Sequence, residues 1–127
     1  MLNGFRLKMI YINVLLLEIF LAPLSGICDS TDGHYTVYGP GNDSCGKFLE
    51  ARRNKNDAIY ATWAAGYVTA INHASPATYD ILGKSDSHGA VVWLENYCHQ
   101  NPLKKFASAV ETLVDELYPR RTTQAPE

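Results

Sequence analysis

The sequence predicts an all-α domain: a small bundle of four helices (or three long and one short), stapled by a disulfide and preceded by a signal peptide. Three observations predict it. Four stretches place apolar residues at helical spacing, with short polar connectors between them. Two cysteines, Cys45 and Cys98, fall on the apolar faces of the first and third stretches. A basic and then apolar segment stands apart at the N-terminus.

That first segment, residues 1–28, has the layout of a cleavable signal. Arg6 and Lys8 give a basic start, Met9 to Ala22 the apolar run, and Pro23, Ser25 and Gly26 a small-residue exit. A membrane-spanning helix needs about 20 apolar residues. This run is shorter, and Asn13 and Glu18 interrupt it. Cleavage after Gly26, Cys28 or Ser30 fits equally well. Lipid anchoring at Cys28 is disfavoured, because the residue before a lipidated cysteine is normally small and here it is Ile27. The expected location is periplasmic or secreted, with no membrane contact once the signal is removed.

About 100 residues then remain, enough for one modest core. Loss of Arg6, Lys8 and Glu18 leaves nine Lys+Arg against twelve Asp+Glu, a formal charge of −3. That balance argues against nucleic acid as a partner, which would call for a basic patch. Three cysteines become two if cleavage removes Cys28, and in an oxidising compartment Cys45 and Cys98 are then expected to form a disulfide. Closing a loop of this length contributes about 4 kcal/mol by the chain-entropy argument, against a total stability of ~5–10 kcal/mol for a small domain. A zinc site would want clustered CxxC or HxxxH spacing, and the chain has neither.

Taken in order, residues 29–43 form a polar arm rich in Gly and Tyr, in which Tyr35 to Tyr38 fit either one short strand or a loop. Asn42-Asp43-Ser44 matches a glycosylation sequon, a pattern common by chance. The helical domain is assigned to 44–118. Its first helix starts at Ser44 as cap, with Cys45, Phe48, Leu49 and Arg52 on one face. Arg52 to Asn56 reads as a solvated connector. A second helix covers Asp57 to Ala74, capped by Asn56, with Ile59, Trp63, Gly66, Tyr67, Ala70, Ile71 and Ala74 as its stripe. Gly66 in a helix interior costs about 1 kcal/mol against Ala, which close approach of a neighbouring helix, or a ligand, would explain. Pro76 stops this helix. Ser85, Asp86 and Ser87 are candidate caps for a third helix to Gln100, with Ala90, Val91, Leu94, Tyr97 and Cys98 facing inward and Trp93 off the stripe. Asn101-Pro102 reads as the start of a fourth helix, whose face is Leu103, Phe106, Ala107, Val110, Leu113, Val114 and Leu117. Pro119 ends it, and 119–127 is expected to be a disordered tail.

Chemistry is sparse. His34, His73, His88 and His99 show no i, i+4 spacing, so no metal is expected. Asp86 beside His88 could begin an acid–base pair, but a helix cap explains Asp86 equally well. Glu95 has no evident partner. Cys98 and His99 are adjacent, which on a helix points them about 100° apart. There is no GxSxG and no phosphate-cradling loop. No catalytic residue and no cofactor is expected, and the protein is not expected to be an enzyme. Of the aromatics, Trp63, Tyr67 and Tyr97 belong to core faces. Tyr35, Tyr38, Tyr60 and Trp93 fall off them and suit either an interface or a lid on the core.

The order of these features resembles a known family. Cys45-Gly46-Lys47-Phe48-Leu49, then Ala65-Gly66-Tyr67-Val68-Thr69-Ala70-Ile71-Asn72, then Tyr97-Cys98 followed by Pro102, Phe106 and Val110 is similar to the HdeA/HdeB family of periplasmic acid-stress chaperones. The resemblance covers most of 44–118 and implies a small helical protein with one disulfide. It implies a non-catalytic role through protein–protein contacts with unfolding clients, and a homodimer is compatible with it. In acid, nine Lys+Arg and four histidines would carry +13, so self-repulsion could open the fold. A second resemblance is to the Tai-type periplasmic immunity proteins, which bind one secreted toxin, although this chain has fewer cysteines than that group. A small exported enzyme is the remaining alternative. The residues expected in the core or at a contact surface are Trp63, Gly66, Tyr67, Trp93, Leu94, Phe106 and Val110, with Cys45 and Cys98 as the disulfide.

Overall fold

The computed structural model of the protein describes residues 35–127, of which Thr36–Glu127 form one unit. The expected signal peptide at 1–28, Cys28, His34 and the first residues of the polar arm lie outside the described residues. Four α-helices make up the bundle: α1 (Cys45–Arg53), α2 (Ala58–Ala74), α3 (Ser87–Gln100) and α4 (Phe106–Leu117). Short 3-10 turns at Gly39–Asn42 and Tyr118–Arg120 flank them. The described residues contain no strand, and Tyr35 to Tyr38 have no regular structure.

α1 begins where expected. Ser44 is extended, and its hydroxyl accepts the Lys47 amide at 3.3 Å. The next free amides find a different solution. Cys45 N–H donates to the Lys104 carbonyl (2.8 Å) and Gly46 N–H to the Pro102 carbonyl (2.9 Å). Those carbonyls are available only if residues 102–105 stay out of a helix, which corrects the expected helix start at Asn101-Pro102. Asn101 instead closes α3, and α4 begins at Phe106, whose own amide donates to Asp43 O at 2.8 Å. Leu103 consequently leaves the predicted apolar face and stands 94% exposed.

α4 carries the core. Phe106, Ala107, Ala109, Val110, Leu113, Val114 and Leu117 are all buried. Phe106 meets Phe48 of α1 (4.7 Å between centroids) and Tyr60 of α2 (5.2 Å), closing an aromatic triangle. Leu94 and Cys98 of α3 complete the centre, and the Cys45–Cys98 disulfide joins α1 to α3 out of solvent. Ile81 enters from the α2–α3 connector and is fully buried.

α2 is rotated from its expected orientation. Its buried residues are Tyr60, Ala64 and Val68, while Trp63, Tyr67 and Ile71 flank the core and Ile59 is 60% exposed. Tyr60 thus moves from the surface group to the centre. Gly66 lies on open surface with nothing within 4 Å of where a Cβ would stand, so neither close helix packing nor a contact within the described residues explains it. Its cap also differs. Asp57, not Asn56, is the N-cap, and its carboxylate is turned to Arg52.

Both ends of the described residues are tied down further than expected. The Gly39–Asn42 turn packs on α2 and α4. Trp63 Nε1 donates to the Tyr38 carbonyl (2.9 Å), and its indole lies directly over Gly41. After α4, Thr122 exchanges hydrogen bonds with the α2–α3 connector: its amide donates to Asp80 O, and Tyr79 N–H donates to its carbonyl, both at 2.9 Å. Arg121 adds a bond to Thr78 Oγ1 at 3.0 Å. The segment expected as a free tail from 119 is therefore held through Thr122.

Two glycines test this arrangement. A Cβ on Gly41 would overlap the Trp63 ring, so Gly41→Ala is expected to destabilise by about 1–3 kcal/mol. Gly66→Ala, in an exposed helix interior, should stabilise by about 1 kcal/mol. Thermal midpoints of the two variants against wild type check both signs.

Candidate functional site

α2 packs on α4 and on the Gly39–Asn42 turn rather than on α3, and the gap between α2 and α3 is a cleft of about 500 Å³. Its α2 wall is made of small side chains, Ala61, Ala64 and Ala65, with Val68 below them. Val91 and Leu94 line the α3 side, and Leu113 of α4 forms part of the floor. Arg52, Asp57, Asp80 and His88 stand around the opening.

One end of the cleft is crossed by an ion triad. Arg52 Nη1 donates to Asp57 Oδ2 (2.9 Å), and Arg52 Nη2 and Nε donate to Glu95 Oε2 (2.6 and 3.2 Å). The three side chains, each between a fifth and a third exposed, come from α1, the cap of α2, and α3. Glu95 foremost, then Asp57, raises the Arg52 pKa above its usual value. Two expectations are corrected by this contact: Glu95 has a partner, and Arg52 is not part of a solvated connector. The partners are 43 positions apart in sequence, so no local pattern connects them.

At the other end, Asp80 organises the connector. Its Oδ1 accepts the Leu82 amide (3.1 Å) and Asn72 Nδ2 (3.4 Å), while Asn72 Oδ1 accepts the Ile81 amide at 2.8 Å. Asp86 caps α3 by accepting Gly89 N–H at 2.7 Å, which accounts for it without a role toward His88. His73, His88 and His99 are exposed, and among the described residues no group of His, Cys, Asp and Glu could hold a metal.

A second polar tie lies outside the cleft. Asp43 accepts Lys47 Nζ (3.0 Å) and the Tyr60 hydroxyl (2.9 Å), the latter joining the segment before α1 to α2. The Lys47 bond, then the Tyr60 bond, holds the Asp43 carboxyl below its ordinary value. Burial, reinforced by the Asp43 carboxylate, pushes the Tyr60 phenol up to about 12, so it remains a donor. Glu111 on α4 goes the opposite way to Asp43: burial, and secondarily Asp115, raises its pKa.

The residues singled out in the sequence do not gather at one place. Leu94 lines the cleft, while Phe106 and Val110 are buried in the core. Trp63 stacks on Tyr67 (5.6 Å, 28°), and Trp93 stacks on Tyr97 (5.4 Å, 14°), as two separate aromatic pairs away from the cleft lining. Tyr35 and Tyr38 are exposed, and Gly66 faces outward. Sequence reasoning missed the alanine wall, Asp57 and Asp80. The only available signal was the recurrence of Ala61, Ala64 and Ala65 at helical spacing.

Comparison with protein-family models, with curated proteins and with solved structures finds no match to this chain. Among the described residues no helix is long and apolar enough to cross a membrane.

Two measurements probe the electrostatics. Arg52→Ala should cost about 1–2 kcal/mol, as charge-assisted bonds are lost from partly buried groups. Most of that cost should vanish in a Glu95→Gln background, and strict additivity in this double-mutant cycle would show that the pair is not coupled. Asp43 has a depressed carboxyl, so its contribution is fully present above the unfolded value of about 3.8 and is lost as pH falls through the lower folded value. Urea midpoints of wild type and Asp43→Asn should therefore differ at pH 6, begin to converge near pH 3.8 and meet only below the lower folded value. A difference independent of pH would count against this role.

Proposed function

We propose that the protein is a small exported, non-catalytic chaperone of the HdeA-like kind, which binds unfolding proteins in acid. The observation that carries this reading is the position of the Arg52–Asp57–Glu95 triad. It bridges α1, α2 and α3 at the end of a gap where α2 and α3 pack only sparsely. A second tie to α2 responds to acid directly: the Asp43 carboxyl is held below its ordinary value, so its protonation removes the tie to Lys47, weakens the one to Tyr60 and takes their contribution from the fold. The Cys45–Cys98 disulfide does not respond to acid, so α1 and α3 stay joined while α2 is released. What α2 then uncovers is apolar: its own Tyr60, Ala64 and Val68, and the Leu94 and Leu113 surface it partly covered.

The opposing contribution is identifiable too. Glu111 has a raised pKa, so its charged form is penalised in the fold and acid relieves that penalty. It sits on α4, which stays with α1 and α3 in this scheme, and it tends to preserve the remaining core while α2 departs. Self-repulsion in acid acts in the same direction as the release.

The test is light scattering of an unrelated acid-sensitive protein, at about pH 2–3 and at neutral pH, with and without the purified protein. Suppression of aggregation is expected in acid only, and it should be lost in Cys45→Ser. Arg52→Ala, with the bridge already broken, should begin to suppress at a less acidic pH. No suppression at either pH overturns the proposal and directs the search to a single dedicated partner.

A further inference from the structure

The α2–α3 cleft has a charge balance that selects among ligands. Arg52 is committed to two carboxylates, Asp57 and Glu95, so that corner carries one net negative charge. Asp80 contributes another. Its hydrogen-bond donors, the Leu82 amide and Asn72 Nδ2, are both neutral, and it forms no ion pair with any described residue. Its second oxygen, Oδ2, accepts no hydrogen bond from any described residue. Among the described residues the opening therefore holds two net negative formal charges from its carboxylates and Arg52, and no lysine or arginine without a carboxylate partner.

We propose that this cleft binds a small organic cation with an apolar body, seating the body against Ala64, Val68, Val91 and Leu94 and directing the cation to Asp80. The volume of about 500 Å³ lies within the range typical of small-molecule sites. The alanine wall supplies the room: at each alanine on this side of α2, a larger side chain would fill space that a ligand now can. An anion of the same shape would meet carboxylates at both ends of the opening and lose its hydration without compensation. A neutral ligand would gain the apolar contact but leave Asp80 Oδ2 unmatched. Asp80 also shapes the connector turn through Oδ1, and that role leaves Oδ2 available.

The experiment uses the purified protein at neutral pH, with phenylbutylamine as the probe and phenylbutyrate as its anionic counterpart. Amide NMR shifts and titration calorimetry are the readouts. The amine should give saturable shifts centred on Ala64, Ala65, Val91 and Leu94, and the acid should bind at least about tenfold more weakly. Asp80→Asn keeps an oxygen for the Leu82 amide while removing the charge. It should weaken the amine about tenfold with little change in thermal midpoint. Ala65→Phe, on an exposed part of the wall, should fill the cleft and abolish binding with the fold intact by circular dichroism. Equal affinity for amine and acid, shifts centred elsewhere, or no saturation up to about 10 mM amine each overturns the proposal. The assay needs neither acid nor a client protein, so its failure and that of the chaperone reading are separable.

Discussion

The seven buried side chains of α4, from Phe106 to Leu117, form an apolar surface that no single neighbour can cover, and the other elements are arranged by how they divide it. α1 and α3 take one part and are fastened to each other by the disulfide. The Gly39–Asn42 turn and the first half of α2 take another, with Tyr60 wedged against Phe48 and Phe106. Because α2 is drawn to α4 and to the turn, it has little left to offer α3, and the cleft is the space that division leaves. Burial of the α4 face is the largest favourable contribution available to so small a core.

Polar groups then settle the details that apolar burial leaves open. The free amides at the start of α1 take carbonyls from residues 102–104, and this delays α4 until Phe106. Arg52 connects three helices through two carboxylates, and Asp43 connects the segment before α1 to α2 through Tyr60. Such half-exposed pairs are individually modest. Their importance lies in position, since they bridge places where side-chain packing is thin.

The existence and type of each helix were legible in the chain because local physics dictates them. Ser44 and Asp86 cap their helices, Pro76 and Pro119 follow helix ends, and the apolar repeat from Phe106 to Leu117 is strong enough to bury itself in any compact arrangement. The pairing of Cys45 with Cys98 followed from their places on apolar faces once Cys28 was assigned to the N-terminal segment. The orientation of α2 was not legible. A helix in which alanines surround the larger side chains presents nearly equivalent stripes, and which one faces inward depends on the neighbour it meets. The cleft was invisible for the same reason, being a property of the space between two helices.

What the sequence by itself determined, then, is an all-α domain with the four helices of the described residues, their approximate limits and the cysteines that can join. Periodicity, capping and proline geometry act within a few residues and need no partner. Tertiary structure alone decided that Tyr60 is core and Ile59 surface, that Pro102 and Lys104 serve α1 in place of starting α4, and that Arg52 meets Glu95. Each of these depends on groups far apart in sequence brought together by burial of the α4 face. A free backbone amide or a half-buried charge must be satisfied by whatever that burial places beside it.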